Sequence, residues 1–312
     1  MLDPQALVST NPQLIDADAL RGLNLIVGFT GVAEAGHVVS QIGSELLGQL
    51  DHVRVARFDT DQLVDYRGNR PRISFVGDHF GDYQAPAIEL YRVRDGLGRP
   101  FLLLTGVEPD YQWERFCRAV LRLVERLDVR LVAWVQSLPL PVPHTRPIGV
   151  TAHGNRPELI EGITSWKPTA DLQAGVAPLL EVRLAEAGRD VVGYSVHVPH
   201  YLADSVYPQA AVAALEYLGA ATSLVLPTDK LREAGRDVGV QIAEQVRDSA
   251  EVARIVDRLE QRYDEHAHTT SRRSLLTKEN DELPDADEIG AAVEAFLAAR
   301  PQEAEGQPGA AD

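Results

Sequence analysis

The sequence predicts an α/β fold, a mixed β-sheet held between helices with a helical appendage at its C-terminal end. Two observations carry this. Three times an apolar run of strand length leads through a polar turn into an amphipathic helix, and the runs are continuous rather than alternating, as in strands covered on both faces. Further strand candidates follow one another with no helix between them, which makes part of the sheet antiparallel.

The first unit is Leu23 to Phe29, a glycine-rich turn, and a helix from about Ala35 to Leu50 in which Val38, Val39, Ile42, Leu46, Leu47 and Leu50 recur at helical spacing. The second is Pro100 to Gly106, whose turn Val107-Glu108-Pro109-Asp110 opens a helix from about Gln112 to Leu127. The third is Asp190 to Pro199, feeding a helix from about Val206 to Tyr217. Additional strands are expected at Val53 to Asp59, Arg72 to Phe80, Ala87 to Asp95, Arg130 to Val135 and Ile148 to His153. A helix from about Leu172 to Ala187 stops at Gly188, a C-terminal cap. Another is expected from about Asp229 to Asp264, weakened near its start by Gly235 and Gly239.

No repeat and no linker interrupts the chain before residue 266, so residues 1–265 read as one core domain and 266–312 as an acidic appendage. His266 to Leu283 is polar and reads as mobile. Asp285 to Glu288 is a capping box that opens a short helix, about 285–299, with Ile289, Val293, Phe296 and Leu297 in one stripe and a disordered end beyond it.

Composition narrows the function classes. The chain has 312 residues, 45% apolar and 24% charged, which is globular and long enough to need no disulfide or metal to hold its core. Cys117 is the one cysteine, so no internal disulfide forms and a reducing compartment is expected. The first residues lack the basic flank and apolar run of a signal peptide, and no stretch has the length of a membrane span, so a cytoplasmic protein is expected. A net charge of −16 argues against nucleic acid and anionic membrane as partners. From Asp264 onward stand twelve acidic and four basic residues, a block that reads as a solvated tail or as a segment docking on a basic surface. Only Lys167, Lys230 and Lys278 among the 30 basic residues are lysines, the bias of a GC-rich bacterial genome.

No motif declares a reaction. The turn Gly28 to Gly36 stands where a dinucleotide fold places its phosphate loop, but its glycines do not match that fingerprint and no nucleoside-triphosphate loop is present. Its glycines either make a tight turn or, through the amides of the following helix, hold an anion. Gly31 and Glu34 are the candidate contacts, although Glu34 would repel a phosphate. Between Leu138 and Pro147 four prolines stiffen an extended loop that carries His144 and Arg146. That pair suits a carboxylate or phosphate, and the loop equally suits rigid packing on a neighbouring subunit. His197 and His200 stand three apart at a strand end with Tyr201 next, but Pro199 rules out a helix and no third ligand is near, so no metal and no cofactor is expected. Asp61 lies in an acidic cluster with Asp59 and Asp65, while Glu108 and Asp110 flank Pro109 before a helix. These carboxylates serve acid–base chemistry or cap helices, the second being the simpler account. Cys117 falls inside a helix, as a small core residue does.

Several of these segments, in order, resemble the proteasome assembly chaperone family in its bacterial and archaeal branch, with actinobacterial members the most similar. They are Gly28 to Gly36; Phe58 to Asp61 with Asp65-Tyr66-Arg67 and Arg70-Pro71; Thr105 to Phe116; Pro141 to Pro147; Val198 to Tyr201 with Tyr207-Pro208; and Leu259 to Asp264. The resemblance covers roughly residues 20 to 300. The resemblance implies a phosphorylase/hydrolase-like three-layer fold, homo-oligomers (a trimer) and no known reaction. Val32 and Glu34 replace an expected tryptophan and aspartate, and Val107 an expected proline. The chain ends Pro308-Gly309-Ala310-Ala311-Asp312, without the hydrophobic–tyrosine–any ending that archaeal relatives use on proteasomes.

The resulting expectation is a non-catalytic, oligomeric protein-binding protein, with other copies of itself and proteasome subunits or another protein as partners. Its contacts would come from the proline loop and the C-terminal helix, and its binding residues would be Gly31, Glu34, Asp61, Glu108, Asp110, His144, Arg146, His200 and Tyr201. The alternative is an enzyme acting on a small anionic or nucleoside-like substrate. There Glu108 and Asp110 would be acid or base, and His144, Arg146 and His200 would hold the anion.

Overall fold

The computed structural model describes residues 3–31, 34–163 and 171–274, with only the helical backbone described for 266–274. By internal contacts the chain divides into two units, Met1–Asp264 and Glu265–Asp312, and every described strand lies in the first. Val32, the acidic tail beyond Ser274 and the short helix expected at about 285–299 lie outside the described residues.

In chain order the elements are β1 (Val8–Thr10), the one-turn α1 (Pro12–Ile15), β2 (Leu25–Thr30), α2 (Val38–Gln49), β3 (His52–Phe58), β4 (Ser74–Val76), β5 (His79–Gly81), β6 (Ile88–Arg94) and β7 (Pro100–Val107). They continue with α3 (Trp113–Arg126), β8 (Val132–Leu140), β9 (Val150–Gly154), α4 (Val176–Glu186), β10 (Val191–Pro199), α5 (Pro208–Thr222), α6 (Asp229–Asp248) and α7 (Ala250–Ser274).

Eight strands form one mixed sheet in the order β1-β3-β6-β7-β2-β8-β10-β9. The four central strands β7, β2, β8 and β10 are parallel, and the pairings toward both edges are antiparallel. Each parallel strand is apolar on both faces because each face has its own helices. In β7, Leu102 and Leu104 join the core under α3 and α4, whose Phe116, Val120, Leu180 and Leu184 lie there. Leu103 joins the opposite core, filled by Val39, Ile42 and Leu46 of α2, Ala211 and Leu215 of α5, and Leu231 of α6. The predicted α/β class and the mixed sheet between helices are therefore both present.

Four expectations change, each for a local reason. Arg72 to Phe80 is not one strand of the sheet. Gly77, at φ 65°, turns the chain back, and β4 and β5 pair as a separate two-stranded arm. The proline segment is not wholly a loop. β8 runs on through Pro139 to Leu140, paired with His197 to Pro199 of β10, while β2 leaves the ladder after Trp134 and no longer demands an amide there. The helix expected from Asp229 to Asp264 is two helices. Ser249 is extended (φ −129°, ψ 106°) and its hydroxyl accepts the Val252 amide at 3.3 Å, so a serine N-cap starts α7 anew. The second of these helices also passes Asp264, so residues 266–274 continue α7 where a mobile segment was expected. β1, three residues long, is too short to show a period in the sequence.

Candidate functional site

β3 is antiparallel to β6 and β6 to β7, so β3 points the same way as the four parallel strands. The carboxyl ends of β3, β7, β2, β8 and β10 therefore share one edge of the sheet. Every candidate residue follows one of these ends: Gly31 and Glu34 after β2, Asp61 after β3, Glu108 and Asp110 after β7, His144 and Arg146 after β8, His200 and Tyr201 after β10. Ligands of open α/β sheets bind at this edge.

The side chains there form separate groups. Glu34 accepts the Ser40 amide at 2.7 Å and also its hydroxyl. Its carboxylate thus occupies the start of α2, the position in which it was expected only to repel an anion. Glu108 does the same for α4, accepting the Val176 amide at 2.7 Å. Gly31 makes this possible, since a Cβ there would stand 2.7 Å from Glu108 Oε2. Asp110 accepts the Asp65 amide at 2.6 Å and Asn69 Nδ2 at 3.1 Å, tying down the segment after β3. Asp61 accepts the Tyr66 hydroxyl at 2.5 Å and lines an open cleft of about 600 Å³ with Arg57, Asp59, Tyr66 and Tyr83. No side-chain hydrogen bond between described residues joins Glu108 to Asp110, or either to His144.

The proline loop is fastened to α7. Arg146 grips Asp264 with both arms of its guanidinium, at 2.8 Å and 2.7 Å, and lies 3.3 Å from Glu260. Thr145 donates to Glu260, and the Tyr263 hydroxyl donates to the Pro147 carbonyl at 3.2 Å. The carboxylate that this loop is chemically suited to clamp is supplied by the same chain. Val256 and Leu259 of α7 are buried beside these contacts in sequence. Arg146→Gln should therefore raise amide hydrogen exchange across residues 250–264 by roughly three- to tenfold while leaving β8 and β10 protected. Equal exchange in variant and wild type would show that the clamp does not hold α7.

His144 turns inward. Tyr201 Oη accepts the His144 amide at 2.9 Å and lies 2.7 Å from Nδ1, which directs the hydroxyl proton to that nitrogen. Burial lowers the His144 pKa, only partly opposed by Glu260, so the imidazole is held neutral. Burial likewise raises the Tyr201 pKa. His200 is exposed and sits edge-on to the Tyr201 ring at 5.4 Å.

Two features escape a reading of the sequence. One is the β4–β5 arm, where Ile73, Phe75, Val76, Phe80 and Tyr83 are all more than half exposed. The alternating Phe75 and Phe80 flanking Gly77-Asp78 were the available signal for a hairpin. The other is a polar floor on the α4 side of β8, β10 and β9, made by Gln136, Thr151, His153, Ser195 and His197 with Glu181 of α4. No spacing in the sequence announces it.

The sequence profile of the PAC2 family matches residues 28–246. No curated protein matches the chain. Among solved structures, a Mycobacterium tuberculosis protein of unknown function is 42% identical with a TM-score of 0.79, over 88% of this chain and 95% of that one. A Corynebacterium glutamicum protein of unknown function is 35% identical with a TM-score of 0.81, over 84% of this chain and 98% of that one. A Mycobacterium tuberculosis proteasome-assembly chaperone homologue is 24% identical with a TM-score of 0.69, over 75% of this chain and 100% of that one, and at this identity shows the fold alone. All three come from actinobacteria.

Proposed function

The chain belongs to the PAC2 family, and from that premise we propose that it is a cytoplasmic, oligomeric protein-binding protein of the assembly-chaperone kind. The observation that carries this reading is the β4–β5 arm. A two-stranded hairpin is marginal in water by itself, and this one presents Phe75, 61% exposed, and Phe80, 69% exposed, as a cross-strand pair 5.0 Å apart. Contiguous apolar surface of this kind is characteristic of a protein contact. Arg70 and Arg72 lead into it, and among the described residues neither has an ion-pair partner.

We assign the arm to a second copy of the chain. A net charge of −16 makes a second copy an acidic surface for Arg70 and Arg72, which stand at the base of the apolar arm while Asp78 stands at its tip. The exposed face of α6 supplies such a surface, with Glu233, Asp237, Val240 and Glu244 in one stripe and Val240 60% exposed. Arm to helix joins two different surfaces, so it closes as a two-fold pair or as a ring, and we take the trimer as the proposed assembly.

The proline loop, expected to reach a partner, is engaged with α7 instead. We therefore assign the client surface to the rest of the carboxyl edge, with proteasome subunits as the proposed client. An anionic small-molecule substrate is the weaker reading, since Glu34 and Glu108 occupy two helix starts and Arg146 is paired with Asp264.

The test has two parts. Light scattering of the purified full chain should give a mass several times the 34.1 kDa protomer, and the tagged chain should recover proteasome subunits from a native lysate. A monomer would sink the oligomeric reading. A well-formed oligomer that recovers no proteasome subunit would sink the proteasome assignment.

A further inference from the structure

β10 lies between β8 and β9, and its two faces differ. Toward α5 the three strands present Ala133, Val135, Ala152, Tyr194, Val196 and Val198, an ordinary apolar packing surface. Toward α4 the same strands present Gln136, His153 and Ser195, with Glu181 above them. Folding does not require this chemistry, because aliphatic side chains fill the equivalent positions on the other face. Burying a hydroxyl, an amide, an imidazole and a carboxylate together is costly unless each is satisfied.

They are satisfied in one definite order. Glu181 Oε2 lies 2.8 Å from His153 Nδ1 and 2.6 Å from Trp134 Nε1, which donates to it. A carboxylate cannot donate, so Nδ1 carries the imidazole proton and Nε2 is left as a base. Ser195 Oγ stands 3.2 Å from that Nε2. Gln136 Nε2 donates to Ser195 Oγ at 2.8 Å, leaving the hydroxyl proton free for His153. Gly193 makes room for the ring, since a Cβ there would lie 2.1 Å from His153 Cε1. Trp134 meets the ring edge-on at 5.0 Å. His153 and Glu181 keep 29% and 20% of their side-chain surface exposed, while Ser195 lies beneath them at 4%. So little exposure limits a substrate of this hydroxyl to a small group.

We propose that Ser195, His153 and Glu181 form a serine nucleophile site for small uncharged acyl esters, with Gln136 as the donor beside the reacting oxygen. Ser195 Oγ attacks the ester carbonyl carbon while its proton passes to His153 Nε2. The C–O bond to the alcohol breaks, and the alcohol leaves with the proton from Nε2. Water then attacks the acyl–Ser195 carbonyl, giving its proton to Nε2. The acyl–Oγ bond breaks, Ser195 recovers the proton, and the sum is ester plus water to acid plus alcohol. Gln136, donating to Ser195 Oγ, orients that oxygen for the attack. Glu181 is a positioning residue that acts through His153. This activity is additional to protein binding and does not depend on the oligomer.

The probes are diisopropyl fluorophosphate and p-nitrophenyl acetate, applied to the full-length protein. Intact mass should show one phosphoryl adduct per chain, and peptide mapping should place it on Ser195. Ser195→Ala should take no label, and His153→Gln should slow labelling and ester turnover by about a hundredfold or more. Glu181→Gln should slow both, with Glu181→Asp partly restoring them. The downfield NMR signal of the hydrogen-bonded His153 Nδ1 proton should vanish in the first and persist in the second. Mapping on the wild type needs no variant to fold. No adduct, an adduct elsewhere, or a labelling rate unchanged in His153→Gln would each overturn the proposal.

Discussion

Replacing Phe75 and Phe80 together by serine is expected to convert the proposed assembly to protomers, read by light scattering beside the wild type at equal concentration. Both rings stand on the two-stranded arm, outside the eight-stranded sheet, and neither enters a described core. The protomer should therefore keep its thermal midpoint and circular dichroism. A desolvated aromatic anchor at an interface contributes about 2 kcal/mol or more, so losing two should weaken each contact by roughly a thousandfold. Arg70→Glu with Arg72→Glu should weaken it less and mainly at low salt, because charges at a rim are screened. An unchanged mass for the double serine variant would remove the arm from the interface.

Asp95→Ala is expected to produce the largest loss of stability, about 3 kcal/mol by urea unfolding at pH 7. The Asp95 carboxylate is fully buried at the β6–β7 turn. It accepts the amides of Leu97 at 2.9 Å, Arg99 at 2.8 Å and Val225 at 2.9 Å, and both arms of the Arg99 guanidinium. Truncation leaves three amides without their acceptor and unties the segment after α5 from the sheet. Burial by itself would raise the Asp95 pKa. The amides of Val225 and Arg99, the Arg99 guanidinium and the Leu97 amide outweigh it and hold the carboxyl below its ordinary range. A depressed folded-state pKa contributes stability that is present above the unfolded value, about 3.9, and is lost as pH falls through the folded one. The gap between wild type and Asp95→Asn should accordingly narrow as pH drops below about 4. A gap that stayed constant from pH 7 to pH 3 would mean that Asp95 is not held ionised by these donors.

Much of the sheet was legible because the apolar run at Leu102 to Leu104 can be satisfied only between two layers, and Gly188, at φ 67°, ends α4 where a C-terminal cap was read. The candidate residues were legible one by one, as polar groups at turns and strand ends. What each one touches was not. Glu108 finds Val176 68 residues away, and Arg146 finds Asp264 118 residues away. The proline loop looked open because its partner helix was read as continuous, and nothing in Asp229 to Asp264 shows against which loop Asp264 will lie.

By itself the sequence determined the fold class, the family resemblance and the strand–turn–helix units. These follow from local periodicity, glycine and proline geometry, and chain direction, which act over a few residues. The tertiary structure alone decided that β4 and β5 leave the sheet as an arm and that Arg146 is spent on Asp264. It also decided that Ser195, His153 and Glu181 meet, although 42 residues separate the first pair and 28 the second. Strand order and helix placement bring distant side chains within hydrogen-bonding distance, and no one-dimensional spacing encodes a register between strands that are not neighbours in the chain.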